Sequence, residues 1–90
     1  MLLNPVRSSQ FKKDLKKARR QGKDLNLLQA VVKTLAQEEP LEARFRDHDL
    51  TGNWRGYREC HVSPDWLLIY KIDRDELKLA RVGSHSELFD

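Results

Sequence analysis

The stretch WLLIYKI, residues 66–72, constrains the fold of this chain more than any other. It is the most apolar of three strand-like runs in the second half, so we expect it to form the central strand of a sheet. The runs WRGYRECHV, residues 54–62, and ELKLARV, residues 76–82, lie on either side of it. Because the connecting segments 63–65 and 73–75 are short, the three runs predict an antiparallel meander.

Two helices are predicted before these strands. In SQFKKDLKKARRQG, the apolar residues Phe11, Leu15 and Ala18 are spaced four and three apart, as on one face of a helix. Gly22 is placed to end this helix. Asp24 can cap a second helix, DLNLLQAVVKTLAQEE, which the following proline should stop. The short segment between them predicts a helix hairpin.

The remaining segments complete the predicted topology. Residues 2–6 can form a first strand at a sheet edge, since Pro5 cannot donate to a central ladder. The stretch LEARFRDHDLTGN, residues 41–53, is mostly polar and predicts a loop. We therefore predict an α+β fold of order β-α-α-β-β-β, a helix hairpin packed on a small antiparallel sheet. Ninety residues fit one domain, residues 1–90.

Charge is distributed unevenly along the chain. Residues 1–23 hold eight basic residues and one acidic residue, a net charge of +7, whereas the other 67 residues hold nine basic and thirteen acidic ones, a net charge of −4. This asymmetry is typical of a helix that lies against a polyanion or an acidic protein, and also of a simple solvated helix face.

The composition of the chain indicates the cellular compartment in which it functions. No apolar run approaches the ~20 residues of a membrane span, and the first residues lack the features of a signal peptide. Cys60 is the only cysteine, so no internal disulfide can form. We expect a cytoplasmic protein that has no membrane partner. Cys60 itself is expected to be a small buried hydrophobe rather than a nucleophile.

Polar residues stand at the junctions of the predicted strands. His48, His61 and His85 lie there, Asp65 occupies a turn, and Arg81 interrupts the apolar alternation of the last strand. Histidine suits proton transfer because its unperturbed pKa is about 6.5. Arginine suits a phosphate because its donors are planar and its charge is permanent. The set fits cleavage of RNA by its own 2′-hydroxyl, which needs a base, an acid and a cation, but no metal.

Other interpretations of these residues remain open. Trp66 and Phe89 suit stacking on exposed RNA bases, but they also suit a core anchor and a C-terminal plug. Asp65 is also explained by its turn, where aspartate is common, and the side chain of Arg81 can extend to solvent. Three histidines and an aspartate are a possible zinc set. They are scattered, without a tight pair of ligands, which favours metal-free acid–base chemistry.

Two long strings resemble a known family. DHDLTGNWRGYRECHVSPDWLLIYKI and LARVGSHSELF closely resemble the YafQ branch of the RelE/ParE toxin superfamily. The shared pattern is D-H-x-L-x-G-x-W-x-G-Y-R-x-x-H-V-x-P-D-W-x-L-I-Y-K, followed by R-x-G-(T or S)-H-x-x-L-F. The helix hairpin corresponds as well, so the resemblance covers essentially the whole chain.

The resemblance implies the toxin of a bacterial toxin–antitoxin pair. Members of this branch are similar to endoribonucleases that cut mRNA in the ribosomal A site and need no cofactor. The implied partners are the ribosome, mRNA and a DinJ-like ribbon-helix-helix antitoxin, with DNA contacted only through the antitoxin complex. A ParE-like protein that binds DNA gyrase without catalysis is one alternative, and a metal-dependent hydrolase is another. The three histidines favour the nuclease.

The resemblance also implies site residues. The family's active-site set falls on His48, His61, Asp65, Trp66, Arg81, His85 and Phe89. We hypothesise that His85 is the general acid on the 5′-oxygen and that Asp65 or His61 is the base. Arg81 would stabilise charge on the phosphate, and His48 would position it. Trp66 and Phe89 would hold bases. The residues expected to contact ribosomal RNA phosphates are Lys12, Lys13, Lys16, Lys17, Arg19, Arg20 and Lys23.

Overall fold

Three α-helices and one five-stranded sheet make up residues 2–89, the part of the chain that the computed structural model describes. The elements are β1 (Asn4–Arg7), α1 (Ser9–Arg20), α2 (Leu25–Ala36), β2 (His48–Asp49), β3 (Arg58–Ser63), β4 (Trp66–Asp73), β5 (Glu76–Gly83) and α3 (His85–Phe89), with short 3-10 helices at Ala43–Phe45 and Gly52–Trp54. The predicted α+β class is confirmed.

The strand order in the sheet is β1-β5-β4-β3-β2. The strand β4 is central, as its apolar sequence predicted, and β3, β4 and β5 form the antiparallel meander. The strand β1 is parallel to β5 at one edge, where Pro5 is paired with Leu77. An edge tolerates a proline because one side of the strand needs no donor.

The helices begin where side chains can cap them. The Ser8 side chain accepts a hydrogen bond from the Phe11 amide, and the Asp24 side chain accepts one from the Leu27 amide. The helix α2 ends at Ala36, a few residues earlier than its sequence predicted. Among residues 2–89, none of the helices combines the length and apolarity that crossing a bilayer requires.

Alternate residues of β4 face two different clusters. Trp66, Leu68 and Tyr70 pack in the main core with apolar residues of α1 and α2. Leu67 and Ile69 lie on the opposite face, where Leu88 of α3 and the segment before β3 cover them. The sheet is therefore buried on both faces, and the second face carries the polar residues described below.

Three details of the predicted strands were wrong. Residues 41–53 are not only a loop, because His48 and Asp49 pair with β3 as a fifth strand. The run predicted from Trp54 becomes a strand only at Arg58, because a 3-10 helix and a turn precede it.

The third detail concerns β5. Ile69 is paired with Arg81, but Tyr70 is paired with Leu79, so Ala80 is an extra residue in a β-bulge. The bulge reverses the alternation, which places Val82 in the same core cluster as Leu79 instead of on the opposite face.

Candidate active site

Four strands contribute to one row of side chains. His48 of β2 is paired with Glu59 of β3, Glu59 with Ile69 of β4, and Ile69 with Arg81 of β5. Directly paired residues project from the same face of a sheet. The row therefore places an imidazole, a carboxylate and the start of an arginine side chain on the face opposite α1 and α2. The buried Ile69 separates the carboxylate from the arginine.

Glu59 joins two of the histidines. It is only 3% exposed, and its Oε1 lies 3.1 Å from His48 Nε2 and 3.5 Å from His61 Nε2. The other ring nitrogen of His48 lies 3.0 Å from the Asp49 carbonyl oxygen. A buried carboxylate needs such partners, because its desolvation is costly. Glu59 therefore fixes the His48 imidazole and lies close to that of His61, and both nitrogens of His48 are already engaged.

The segment before His48 is held by its own polar cluster. The buried Tyr70 hydroxyl donates to Asp47 Oδ1 at 2.5 Å, and Arg58 donates to both Asp47 and Asp49. Burial, and next the bond to Asp47, raise the pKa of the Tyr70 hydroxyl. The phenol stays protonated at neutral pH and keeps donating. These contacts fasten β2 to the rest of the sheet and so position His48.

The short helix α3 brings His85 and Phe89 to this face. The imidazoles of His61 and His85 are 6.2 Å apart between ring centroids, and the rings of His85 and Phe89 are 5.5 Å apart. His85 is exposed, and Phe89 is 41% exposed. Asp65 Oδ1 accepts a hydrogen bond from the His85 backbone amide at 3.2 Å. Asp65 thus contacts the backbone of His85 rather than its ring.

A reciprocal cap fixes the first turn of α3. The Ser84 amide donates to Glu87 Oε1 at 2.8 Å, and the Glu87 amide donates to the Ser84 hydroxyl at 3.2 Å. Lys17 of α1 forms an ion pair with the same glutamate. Lys17, and next the Ser84 amide, lower the pKa of Glu87 to about 2. The cap therefore stays ionised and holds the turn that carries His85.

Gly83 allows α3 to approach β5 closely. A Cβ at this position would lie 3.1 Å from Glu87 Oε1 and 3.2 Å from Leu88 Cδ2. Such contacts are tighter than ordinary packing, so a larger residue here would require the side chains of Glu87 and Leu88 to shift by a few tenths of an ångström. Gly83 thus lets the capping glutamate and Leu88 pack closely against the end of β5.

Arg81 is held by α1. Its Nε lies 2.9 Å from Asp14 Oδ2, and its Nη2 lies 3.1 Å from Asp14 Oδ1. The same carboxylate accepts the Val82 amide at 3.1 Å. Because β1 pairs with β5 only as far as Leu79, Asp14 takes the place of a strand partner at this edge. Hydrogen bonding to Asp14 raises the pKa of Arg81.

Trp66 does not lie where its expected role requires. It is 2% exposed and packs in the main core, on the face of the sheet opposite His61. A ring this buried has no free face for an RNA base, so the expectation that Trp66 stacks on a base is corrected by its burial. Phe89 keeps an exposed ring.

The basic residues of the first helix are exposed. Lys17 alone among them forms an ion pair in residues 2–89, the one with Glu87. Together they form a positive surface along α1 and the segment after it, made of Lys12, Lys13, Lys16, Lys17, Arg19, Arg20 and Lys23.

The histidines also form a group that could hold a metal ion. In residues 2–89 this group is His48, Glu59 and His61, whose ligand atoms all lie within 4.8 Å of one another. Two imidazole nitrogens and a carboxylate oxygen suit zinc or copper. The group differs from the three histidines and Asp65 that the sequence suggested as a rival metal set.

Two acidic residues were missed by the sequence analysis. Glu59 stands two positions before His61, and alternation along a strand already placed both on one face. Asp14 is the only acid among the first 23 residues, in the middle of an otherwise basic helix. An isolated acid in such a segment indicates a specific partner, which is Arg81.

Comparison with known proteins identifies the class of protein to which this chain belongs. Residues 3–90 match the family model described as a bacterial toxin of type II toxin–antitoxin system, YafQ. A curated relative from Escherichia coli strain K12, the mRNA interferase toxin YafQ, is 45% identical over 83 residues, which cover 91% of this chain and 90% of the relative. The chain is a toxin of the type II toxin–antitoxin class. It belongs to the YafQ family.

Solved structures agree with this assignment. The Escherichia coli DinJ–YafQ toxin–antitoxin complex matches with a TM-score of 0.91 and 41% identity, over 100% of both chains. A metal-bound toxin from Helicobacter pylori matches with a TM-score of 0.90 and 48% identity, over 99% of this chain and 100% of that chain.

Proposed function

We propose that the chain is a single-domain mRNA interferase, an endoribonuclease that cuts mRNA in the ribosomal A site. The observation that carries the proposal is the pair of imidazoles, His61 and His85, 6.2 Å apart beside the exposed ring of Phe89. Two imidazoles at this separation can reach oxygens of one phosphate group. The name of the curated relative supports the same activity, and family membership favours it over gyrase binding.

The reaction is an attack of the RNA 2′-oxygen on the adjacent phosphorus. His61 accepts the 2′-hydroxyl proton, the phosphorus–5′-oxygen bond breaks, and His85 donates a proton to the leaving oxygen. Asp65 was the other candidate base. Its contact with the His85 amide suits a positioning role better, because this bond orients the start of α3. His48, both of whose ring nitrogens already have partners, helps to position the phosphate.

Arg81 stabilises the charge that develops on the phosphate. Asp14 accepts hydrogen bonds from the Nε and Nη2 groups of Arg81, so the N–H groups of Nη1 and the second N–H of Nη2 remain for a phosphate. Phe89 stacks on a base next to the scissile phosphate. Each of these roles uses a side chain of this protein, so the proposed reaction needs no cofactor.

The proposed partners follow from charge and from the relatives. The positive surface along α1 contacts ribosomal RNA phosphates, and this binding should weaken steeply with salt. A relative forms a complex with DinJ, so we propose a DinJ-like antitoxin of the ribbon-helix-helix type for this chain. DNA would be contacted through that antitoxin. The ribosome as target implies a cytoplasmic toxin.

A metal ion is proposed as an inhibitor rather than as a cofactor. A similar toxin has been solved with metal bound, and His48, Glu59 and His61 offer suitable ligands. An ion bound there would occupy the His61 nitrogen that faces Glu59 and would restrain the base. Micromolar zinc should therefore inhibit cleavage, and a chelator should restore it. A metal-dependent hydrolase would show the reverse.

Cleavage of mRNA on programmed ribosomes tests the proposal. Wild-type protein should cut within the A-site codon, whereas His85→Ala and Arg81→Ala should reduce the rate by about 100-fold or more. Ser86→Ala and Arg74→Ala are the matched controls, because both residues are exposed and lie outside the site. Unchanged cutting by both site variants would contradict the assigned roles. Inhibition of gyrase without any cutting would support the alternative.

A further inference from the structure

A groove of about 520 Å³ opens beside His61. The end of β3 and the following turn form one wall with His61, Val62, Ser63 and Pro64. The 3-10 helix Ala43–Phe45 and its flanking residue form the other wall. Its volume lies within the range of small-molecule sites. Neither His85 nor Phe89 lines it, so the groove extends the site beyond the residues already assigned.

Two arginines stand along this groove, and both are exposed. Arg44 lies with its guanidinium carbon 4.7 Å from the centroid of the Phe45 ring, which supports the planar group from one side. Its contact with Glu42, at 3.5 Å between two exposed side chains, is weak. Arg46 forms no ion pair among residues 2–89. The groove therefore offers two guanidinium groups to an anion, next to one imidazole of the proposed active site.

Arg46 also has an uncommon backbone conformation. Its φ is +48° and its ψ is 50°, in the left-handed region that favours glycine. A left-handed residue at the end of a 3-10 helix needs no side chain for the turn itself. Glycine suits this conformation better than arginine, so Arg46→Gly removes the side chain without straining the turn.

We propose that this groove binds the mRNA nucleotide immediately upstream of the scissile phosphate, with Arg44 and Arg46 contacting that nucleotide's own 5′-phosphate. The inference rests on the proposed function. If His61 takes the proton of the 2′-hydroxyl, the nucleotide that carries this hydroxyl lies on the His61 side of the site. The 5′-phosphate of this nucleotide then points away from His85, toward the arginines. Phe89, beyond His85, holds the downstream base.

Kinetics on programmed ribosomes test the groove with a matched pair of variants. Arg46→Gly removes the guanidinium and leaves a residue suited to the left-handed turn. Arg74→Gly makes the same change at another left-handed arginine, with φ +59°, in the turn at the opposite end of β4. Arg46→Gly should raise the KM for ribosome-bound mRNA about tenfold and leave kcat nearly unchanged, as loss of one charged contact predicts. Arg74→Gly should change neither constant.

A modified substrate identifies the phosphate. In a synthetic mRNA, a neutral methylphosphonate replaces the linkage 5′ to the upstream nucleotide. On this mRNA the KM of wild type should rise at least to the value that Arg46→Gly has on normal mRNA, because both arginine contacts are lost. The same replacement should raise the KM of Arg46→Gly less, because only the Arg44 contact remains to be lost. The proposal fails if both glycine variants have equal KM values on normal mRNA. It also fails if the methylphosphonate raises the KM of Arg46→Gly as much as it raises that of wild type. Arg44→Ala provides a second probe whose backbone is not left-handed. If wild type cuts no ribosome-bound mRNA, the proposed function fails, and this inference with it.

Discussion

Replacing Asp14 by alanine should destabilise the edge of the sheet beside Arg81. The change removes one acceptor that serves the Arg81 Nε, the Arg81 Nη2 and the Val82 amide. An amide left buried without a partner costs about 1–3 kcal/mol. The guanidinium is partly exposed, with 24% of its side chain accessible, so its lost pair adds only about 1 kcal/mol. We expect a total loss of about 3 kcal/mol.

Thermal unfolding followed by circular dichroism measures this loss. For a domain of this size, about 3 kcal/mol corresponds to a Tm decrease of about 15 °C. Glu39→Ala is the control, because Glu39 is an exposed acid and its removal should shift Tm by no more than a few degrees. The double variant Asp14→Ala/Arg81→Ala should be about 1 kcal/mol more stable than the sum of the single losses predicts. If Asp14→Ala unfolds within a few degrees of the control, the anchoring of Arg81 by α1 is refuted.

The remaining predictions concern α3, its neighbour Gly83 and the buried thiol. The folded-state pKa of Glu87 lies at about 2, below its ordinary value of 4.5, so the ionised side chain stabilises the fold above pH 4.5 and this stabilisation is lost as the pH falls toward 2. The Tm of Glu87→Gln should therefore fall less steeply than that of wild type over this range. Parallel curves of Tm against pH would contradict the capping role of Glu87. Gly83→Ala should slow cleavage about tenfold with a Tm loss of only a few degrees, because the methyl group displaces the Glu87 side chain that caps the turn carrying His85. An unchanged rate would show that Glu87 and Leu88 make room for the methyl group without moving His85. Burial raises the pKa of Cys60 to about 12, so a thiol reagent should label the native protein far more slowly than the unfolded one, and rapid labelling at pH 8 would contradict the buried position.

Much of the fold was predictable because local signals and the tertiary structure agree. The run of five fully buried residues at the start of β4 is apolar without interruption, which indicates a strand covered on both faces. Asp24 caps the second long helix where the sequence placed a cap residue. These features depend only on neighbours along the chain.

The errors have a common physical cause, which is contact between distant segments. The bulge at Ala80 shifts the alternation of β5, and a strict period of two cannot reveal it. The two residues of β2 are a strand only because β3 lies beside them. Trp66 has the same sequence context whether its ring faces the core or the site, and only the pleat of β4 decides between these faces.

As with the fold, only part of the candidate site could be predicted from the sequence. The histidines stood out because they lie at strand ends, and Phe89 stood out because an aromatic ring suits stacking on RNA bases. Glu59 and Asp14 did not stand out, because each is a common surface residue type whose meaning depends on burial and on a partner 2 or 67 residues away. Buried carboxylates of this kind are identified only when the fold shows what surrounds them.

Removal of a single hydroxyl group from the substrate shows whether the 2′-oxygen is the nucleophile in cleavage. Programmed ribosomes would carry an mRNA in which the nucleotide upstream of the mapped cut has a 2′-hydrogen instead of the 2′-hydroxyl, with chelator present throughout. Wild-type protein should no longer cut at that bond, whereas the all-ribose mRNA should be cut and should leave a 2′,3′-cyclic phosphate end. Continued cutting at the 2′-deoxy position would contradict acid–base catalysis through the 2′-hydroxyl by His61 and His85.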